Sequence, residues 1–166
     1  MSTPTTELEN AAASTHAVKY VYFFGDGHAE GHGKMKDELS EPLQLAVDPR
    51  GTAAYVYDDD TYEIKKFDLD AQKSTGSHVN NSGGKGDGPG QFRSVKGLGC
   101  DRLGLLYVID SSRGDLQVID FRGSNAIVGQ ARKAADLDIR KLESLALSPD
   151  GQMYLFYDGS GVAWRW

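Results

Sequence analysis

Apolar and polar residues alternate in short runs along this chain, and turns that contain aspartate and glycine separate the runs. One unit of this pattern occurs three times: an apolar run, a turn that ends in glycine, an alternating run and a third run. The glycines of the first turns, Gly51, Gly104 and Gly151, are 53 and 47 residues apart. A two-residue alternation predicts half-buried strands, and a tight turn between two such runs predicts a hairpin. Each unit is therefore predicted to be a small antiparallel sheet.

The strands can be placed within each unit. The runs of the successive units are Leu45–Gly51, Tyr55–Asp58 and Ile64–Asp68; Leu98–Gly104, Tyr107–Asp110 and Leu116–Asp120; and Leu145–Gly151, Tyr154–Asp158 and Val162–Trp166. A fourth strand is predicted at Ser77–Val79 and at Ala126–Gln130. Repeats of this length with several strands each are typical of β-propeller blades.

The third unit stops at Trp166, before a fourth strand, whereas a spare strand, Val18–Phe24, precedes the first unit. Propellers usually close with about four to eight blades, so three blades would leave two apolar faces open. We predict an all-β chain of three four-stranded blades, half of a six-bladed propeller, whose N-terminal strand completes the last blade of a partner chain. The predicted interface residues are Tyr20, Tyr22, Phe24, Trp164 and Trp166. The competing interpretation is a fragment, a designed half-propeller or one part of a hetero-assembly.

Segments of the second unit resemble NHL-repeat propellers. The matching segments are Gly86–Phe92, Leu98–Asp101, Tyr107–Asp110 and Gln117–Asp120, and the junction from Phe24–Gly27 to Glu41–Asp48 is similar. The resemblance covers about residues 18 to 166 and implies a six-bladed propeller. NHL repeats often carry an arginine at the start of the third strand, where this chain has Glu63 and Asp115. The ion-pair ladder of that family is therefore not expected here.

A short N-terminal stretch also resembles the start of pyruvate phosphate dikinases. It comprises Tyr20–Gly25, Ala29–Gly31 and Lys34–Asp37. In that family a glycine- and lysine-rich segment follows and contacts nucleotide, whereas Ser40–Leu45 stands there in this chain. Because those glycines are missing, there is no backbone cradle for phosphates, and this likeness is interpreted as having no function.

Composition narrows the classes of function. The formal net charge of −6 and the pI near 5.1 argue against a nucleic-acid ligand, which requires a cationic face. No run approaches the roughly eighteen apolar residues of a membrane helix, and residues 1–15 lack the apolar segment of a signal peptide. We therefore expect a cytoplasmic protein without a membrane partner, with a disordered tail at residues 1–16 and the half-propeller at residues 17–166. The single cysteine, Cys100, excludes an intramolecular disulfide and is predicted to be a buried hydrophobe.

Candidate metal-binding and catalytic groups are few. His28 and His32 lie four residues apart, but a zinc site needs at least one further ligand, and a surface loop is the simpler interpretation. Asp58–Asp60 could bind calcium through carboxylates, although such aspartates more often bond their own turns. Gly83–Gly90 lacks the Gly-Lys-Ser/Thr ending of a phosphate loop, and no serine has the context of a catalytic nucleophile. No cofactor is therefore expected, with bound calcium or zinc as the alternative.

Loops at one end of the predicted blades carry many charged side chains. This end would present His28, His32, Asp58, Asp59, Asp60, Lys85, Arg113 and Arg132. Loops on a rigid scaffold commonly carry binding sites, and mixed charge is compatible with a peptide or protein ligand. We predict a non-catalytic protein that binds a peptide or protein there, or that self-assembles into a six-bladed homodimeric ring. A metal-dependent lyase or hydrolase with its site at the channel is the alternative, and a half-propeller that only self-assembles is a third hypothesis.

Overall fold

A computed structural model describes residues 24–25, 28–29, 39–70, 75–123, 126–131, 137–157 and 163–165. Within these ranges the chain forms short strands joined by turns, together with a 3₁₀ helix at Ile139–Lys141. The strands are β1 (Phe24–Gly25), β2 (His28–Ala29), β3 (Pro42–Val47), β4 (Ala53–Asp58), β5 (Glu63–Asp70), β6 (Thr75–Gly83), β7 (Val95–Cys100), β8 (Leu105–Asp110), β9 (Asp115–Asp120), β10 (Ala126–Ala131), β11 (Leu142–Leu147), β12 (Met153–Tyr157) and β13 (Ala163–Arg165). None of the described helical residues forms a segment long and apolar enough to cross a membrane.

Three antiparallel sheets, here called blades, follow one another along the chain. The first blade consists of β3, β4, β5 and β6, and the second of β7, β8, β9 and β10, each in that spatial order. The third blade consists of β11, β12 and β13, again in chain order. Neighbouring strands pair with their successors because short connections favour antiparallel hairpins. The predicted all-β architecture is confirmed, including the fourth strands of the first two blades.

The periodic glycines of the sequence lie in the turns between the first two strands of each blade. Gly51 has a φ of 70° and Gly151 a φ of 88°, values that glycine adopts without steric cost. In the first blade Asp48 accepts a hydrogen bond from the N–H of Thr52 at 2.6 Å. In the third blade the hydroxyl of Ser148 accepts one from the N–H of Gln152 at 3.0 Å. Aspartate and serine therefore close equivalent turns.

The blades pack through their faces and through their innermost strands. β3 contacts β7, and β7 contacts β11, so the first strands of the three blades lie side by side. Tyr57 and Val108 belong to the buried cluster between the first and second blades. Ile109 and Leu155 belong to the cluster that joins the second and third blades. The middle blade therefore buries apolar side chains on both of its faces, as a layer within a stack of sheets does.

The described residues include only part of the two ends of the chain, for which the sequence predicts a tail, a strand and interface residues. Phe24 is the one described residue of the predicted strand Val18–Phe24, and its backbone pairs with Ala29 in the hairpin of β1 and β2. That hairpin lies where a loop was expected. Trp164 lies in β13, where its backbone pairs with Leu155. Outside the described residues lie the predicted tail and Tyr20, Tyr22, His32, Arg132 and Trp166.

Candidate functional site

The ends of the blades opposite the glycine turns, here named the rim, comprise the loops at residues 40–41, 59–62, 84–94 and 111–114. A buried carboxylate ties two strands together at this rim in each of the first two blades. Asp58, at the end of β4, accepts hydrogen bonds from the N–H groups of Ser40 (2.8 Å) and Glu41 (3.2 Å), just before β3. Asp110, at the end of β8, accepts one from the N–H of Arg93 (2.6 Å), just before β7. The start of each innermost strand is thereby fixed to its neighbour.

The same two carboxylates also hold the loop that follows them. Asp58 accepts a hydrogen bond from the N–H of Asp60 at 3.2 Å, and Asp110 accepts one from the N–H of Arg113 at 3.0 Å. The side chain of Asp58 has no exposed surface. Predicted as a ligand-binding residue, Asp58 is instead placed inside the rim, where it organises the backbone of the loops.

A tyrosine takes the place of this carboxylate in the third blade. Tyr157 pairs with the first residue of β11, as Asp58 and Asp110 pair with the first residues of β3 and β7. Its hydroxyl accepts a hydrogen bond from the N–H of Asp138 at 2.5 Å. The sequence pattern aligned Asp158 with the two aspartates, whereas the backbone register gives that position to Tyr157. The third blade therefore also has a hydrogen bond to the loop before its first strand, but the acceptor is a neutral hydroxyl rather than a carboxylate.

Asp58 and Asp110 differ in the side chain that accompanies them. Lys65 Nζ donates to Asp58 Oδ2 at 2.8 Å, and both side chains are buried. Burial alone would raise the pKa of Asp58, but the hydrogen bond from Lys65 and those from the backbone outweigh it and lower the pKa to about 2. Lys65 pairs with Val56 of β4 in the first blade. Gln117 pairs with the equivalent residue of the second blade, Val108 of β8, and so stands at the position of Lys65. A neutral amide therefore replaces the lysine there.

Arg113 lies in the interior of the rim. Its side chain is 3% exposed, and Nη2 donates to Asp115 Oδ2 at 2.7 Å. Nη1 donates to the carbonyl oxygens of Gly86 (3.3 Å), Gly88 (2.7 Å) and Gln91 (2.5 Å). Predicted as a ligand-contacting residue, Arg113 instead clamps the glycine-rich loop onto the second blade.

Asp115 occupies the start of the third strand, where an arginine is frequent in NHL repeats. The arginine of this blade stands two residues earlier in the sequence and reaches the carboxylate from the preceding turn. Gln130 Nε2 also donates to Asp115 Oδ2, at 2.6 Å, while Asp115 Oδ1 is buried and has no hydrogen-bond partner among the described residues. An arginine–carboxylate pair is thus present at this position of the second blade, formed from a different residue than the one that the ion-pair ladder of NHL repeats would use.

The accessible part of the rim is centred on Tyr62. Its φ is 57°, close to the 68° of Gly114, which occupies the same place before the third strand of the second blade. A left-handed backbone costs a non-glycine residue roughly 1 kcal/mol or more. Lys85 Nζ lies 4.6 Å from the centroid of the Tyr62 ring, and Asp60 is exposed beside this loop while Asp59 is half-buried. Tyr62 was not among the predicted site residues, although the sequence carries a signal for it: a tyrosine stands before β5 where a glycine, Gly114, stands before β9.

The structure describes His28 and Asp58–Asp60 among the candidate metal ligands. His28 lies in β2, where its backbone pairs with Gly25, and its predicted companion His32 is outside the described residues. Across the part of the chain that the structure describes, no three His, Cys, Asp or Glu side chains are grouped so that they could hold a metal ion. The carboxylate of Asp58 is engaged by backbone N–H groups and by Lys65, as described above.

Among the described residues, the first blade has an exposed apolar face on β3, and the third blade has an exposed phenylalanine on β12. Leu43, Leu45 and Val47 of β3 are 53%, 63% and 47% exposed, and Phe156 of β12 is 41% exposed. All residues of β7, the corresponding strand of the middle blade, are buried or half-buried. The exposed apolar residues therefore lie at the two ends of the stack of blades, on strands whose counterparts in the middle are covered.

A cavity of about 410 Å³ lies between the second and third blades. Val118, Leu147 and Met153 line its apolar part. Tyr107 and Asp101 also line it, and the Tyr107 hydroxyl donates to Asp101 Oδ2 at 3.2 Å. The cavity is thus bounded by side chains of both blades.

Neither a protein-family profile nor a curated protein sequence matches the chain. Solved structures do resemble it. A luciferin-regenerating enzyme superposes with a TM-score of 0.54 at 16% identity, over 76% of this chain and 44% of that one. The β-propeller domain of Cps50 (Swd1) from Myceliophteria thermophila gives 0.53 at 13% identity, over 75% and 40%. Regucalcin, a calcium-binding protein from Agrobacterium tumefaciens, gives 0.51 at 17% identity, over 71% and 38%. The chain spans less than half the length of these structures, and it has the fold of a β-propeller, of which it supplies three blades.

Proposed function

We propose that the chain is half of a six-bladed, NHL-like propeller that pairs with a second copy of itself. The closed ring is a non-catalytic scaffold that binds a protein or peptide at the rim. The observation that carries this proposal is the open apolar face of β3. Contiguous exposed apolar surface on a protein commonly marks an interaction site. The equivalent strand of the middle blade is covered on both sides, so a further blade is the natural occupant of the space beside β3.

A second copy of the chain would supply that further blade and would fix the total number of blades in the ring. Two sets of three blades make six, which lies within the range of about four to eight at which propellers close. β13 has a paired neighbour on one side only among the described strands, and an unpaired strand edge attracts another strand. The segment Val18–Phe24 of the partner is the proposed occupant of that edge, with Tyr20, Tyr22 and Phe24 beside Trp164 and Trp166. Residues 17–166 would then form the assembling unit, behind a tail at residues 1–16.

The proposed ligand site is the accessible rim around Tyr62. Tyrosine is among the residues that most often dominate the energy of protein–protein contacts. Its backbone has a φ of 57°, and residues held in such costly conformations cluster at functional sites. Asp59, Asp60 and Lys85 surround it with charges of both signs, and His28, His32 and Arg132 are proposed to extend the site. The buried polar groups of Asp58 and Arg113 support the loops from below.

The molar mass in solution tests the assembly. Light scattering coupled to size exclusion should give twice the 18.0 kDa of one chain, independent of concentration across the micromolar range. A mass of one chain with a cooperative unfolding transition would overturn the proposal. Elemental analysis of the same peak addresses the alternative, because stoichiometric calcium or zinc would favour a metal-dependent lyase or hydrolase.

The rim site is tested with peptides of known sequence. Peptides selected from a random display library on the purified protein should lose about tenfold or more in affinity when Tyr62 is replaced by alanine, as expected for a binding hot spot. Leu103→Ala is the matched control, because Leu103 is exposed in a turn at the opposite end of the blades. Equal loss in both variants, or no loss in either, would contradict a site at Tyr62.

A further inference from the structure

The innermost strands of the three blades can be aligned residue by residue. β3, β7 and β11 each have six residues, and each has an irregularity in register between its first and third residues. The third and fifth residues are Gln44 and Ala46, Gly97 and Gly99, and Ser144 and Ala146. The fourth and sixth are Leu45 and Val47, Leu98 and Cys100, and Leu145 and Leu147. One side of each strand is thus small or polar, and the other is apolar.

These two sides meet where the second blade packs on the third. A Cβ atom placed on Gly97 would lie 2.9 Å from the backbone nitrogen of Leu145 and 3.3 Å from its Cγ. One placed on Gly99 would lie 2.4 Å from Cδ1 of Leu145 and 3.1 Å from Cδ1 of Leu147. The third and fifth residues of β7 therefore receive the fourth and sixth residues of β11. The small residues act as a socket for the leucine side chains.

The contact between the first and second blades follows the same rule. Ala46, the fifth residue of β3, is buried in one cluster with Leu98 and Cys100, the fourth and sixth residues of β7. An alanine at the fifth position is therefore compatible with this packing. In both contacts the socket of a blade faces the next blade in the chain, and the apolar side of its innermost strand faces the previous blade.

One socket, on β11, and one apolar side, on β3, have no neighbouring blade among the described residues. Ser144 and Ala146 of β11 are exposed, and so are Leu45 and Val47 of β3. They are the two halves of the contact that occurs twice within the chain. Phe156 extends the pattern outward, because its register position in the third blade is that of the fully buried Ile109 in the second.

We infer that β11 of one copy packs against β3 of a second copy, with Leu45 and Val47 of the second copy seated on Ser144 and Ala146 of the first. This head-to-tail seam rests on the proposed closure by a second copy. In a ring of two copies it occurs twice, because each copy contributes one socket and one apolar side. A contact between unlike surfaces closes into a ring when its rotation allows.

Two single substitutions test the seam from its opposite sides. Leu45→Glu and Ala146→Glu each bury a carboxylate in the seam, which is strongly unfavourable without a partner charge. Both variants should elute with the mass of one chain, and they should remain folded by circular dichroism, since both positions are exposed in the single chain. Leu103→Glu is the matched control, because Leu103 is exposed by the same 63% as Leu45 but lies in a turn away from the seam. This control should keep the mass of the unchanged protein.

Mixing the two variants separates a head-to-tail seam from a symmetric contact of β3 with β3. A mixed pair has one seam with both glutamates and one seam with neither, so an equimolar mixture should recover dimers that neither variant forms alone. Failure of mixing to restore dimers would overturn the head-to-tail geometry. A dimeric Ala146→Glu variant would overturn the seam and leave the proposed closure intact, whereas a monomeric unchanged protein would overturn both.

Discussion

Replacing Asp58 by alanine tests the internal support of the rim most directly. The substitution removes a carboxylate that binds Lys65 at 2.8 Å and the backbone N–H groups of Ser40 and Glu41. Removing one partner of a buried ion pair typically costs about 3–5 kcal/mol, because the remaining charge stays in the interior. We therefore expect the free energy of unfolding of Asp58→Ala to fall by about 3–5 kcal/mol.

The second blade supplies the matched comparison. There Gln117 stands at the position of Lys65, and Asp110 keeps its backbone hydrogen bonds without a lysine. Lys65→Gln should accordingly lower the free energy of unfolding by less, about 1.5–3 kcal/mol, the cost of one charged hydrogen bond. The double variant Asp58→Ala/Lys65→Gln should be more stable than the sum of the two single losses predicts, by about 1–3 kcal/mol, since the two side chains interact directly.

Urea unfolding at pH 7 and fixed protein concentration, followed by circular dichroism, measures these differences. With a slope of about 2 kcal/mol per molar urea, a loss of 4 kcal/mol lowers the midpoint by about 2 M. Additive effects of the two substitutions, or equal losses in Lys65→Gln and Asp58→Ala, would refute the assignment of Asp58 and Lys65 as a coupled buried pair.

The same pair predicts a dependence of stability on pH. The pKa of Asp58 in the folded chain is about 2, below its ordinary value of 3.8. A lowered folded-state pKa contributes stability above pH 4 that is lost as the pH falls towards 2, in total about 2 kcal/mol. In Asp58→Asn this contribution should be missing. A variant that loses as much stability between pH 4 and pH 2 as the unchanged protein would contradict the assignment.

Three further predictions concern the interior. Gly97→Ala should destabilise the chain by about 1–3 kcal/mol in urea unfolding and by more than Gly99→Ala, since the added methyl group meets backbone at Gly97 but flexible side-chain ends at Gly99. The Cys100 thiol should react with iodoacetamide at pH 8 far more slowly in the folded protein than in urea, because burial raises its pKa to about 11; equal rates would contradict its burial. Arg113→Lys should lower the unfolding midpoint measurably, because an ammonium group cannot bind several carbonyl groups and a carboxylate in the fork geometry of guanidinium; an unchanged midpoint would show that the clamp is dispensable.

The order of strands was predictable from sequence because two-residue alternation and turn residues report directly on local structure. Tyr55–Asp58 and Tyr107–Asp110 were placed within the strands β4 and β8 that the structure shows. The third blade was harder, since Tyr157 rather than an aspartate ends β12, and only backbone register reveals the equivalence. The Tyr157 hydroxyl accepts a hydrogen bond from the loop before β11, as the two carboxylates do from the loops before β3 and β7, so the connection is kept while the sequence signal is lost.

The interior position of Arg113 could not be read from the sequence. Besides Asp115, its partners are backbone carbonyl groups 22 to 27 residues earlier in the chain, and carbonyl groups carry no residue signature. Charged residues in predicted loops are ordinarily exposed, which favoured a place for Arg113 on the ligand-contacting surface. Long-range packing decided otherwise. Asp60 and Lys85, which are exposed, were among the predicted rim residues, and Tyr62 was not.

The carboxylate of Asp58 has a consequence for how tightly a ligand can be held. It binds the backbone before β3 and the loop after β4 at once, so the loop that carries Asp59 and Tyr62 is fixed before any ligand arrives. Ordering a loop on binding costs affinity, and a preorganised loop avoids that cost. A ligand of this rim would therefore associate with little loss of loop entropy. Its affinity would depend chiefly on surface complementarity, and rim variants should change the rate of dissociation more than that of association.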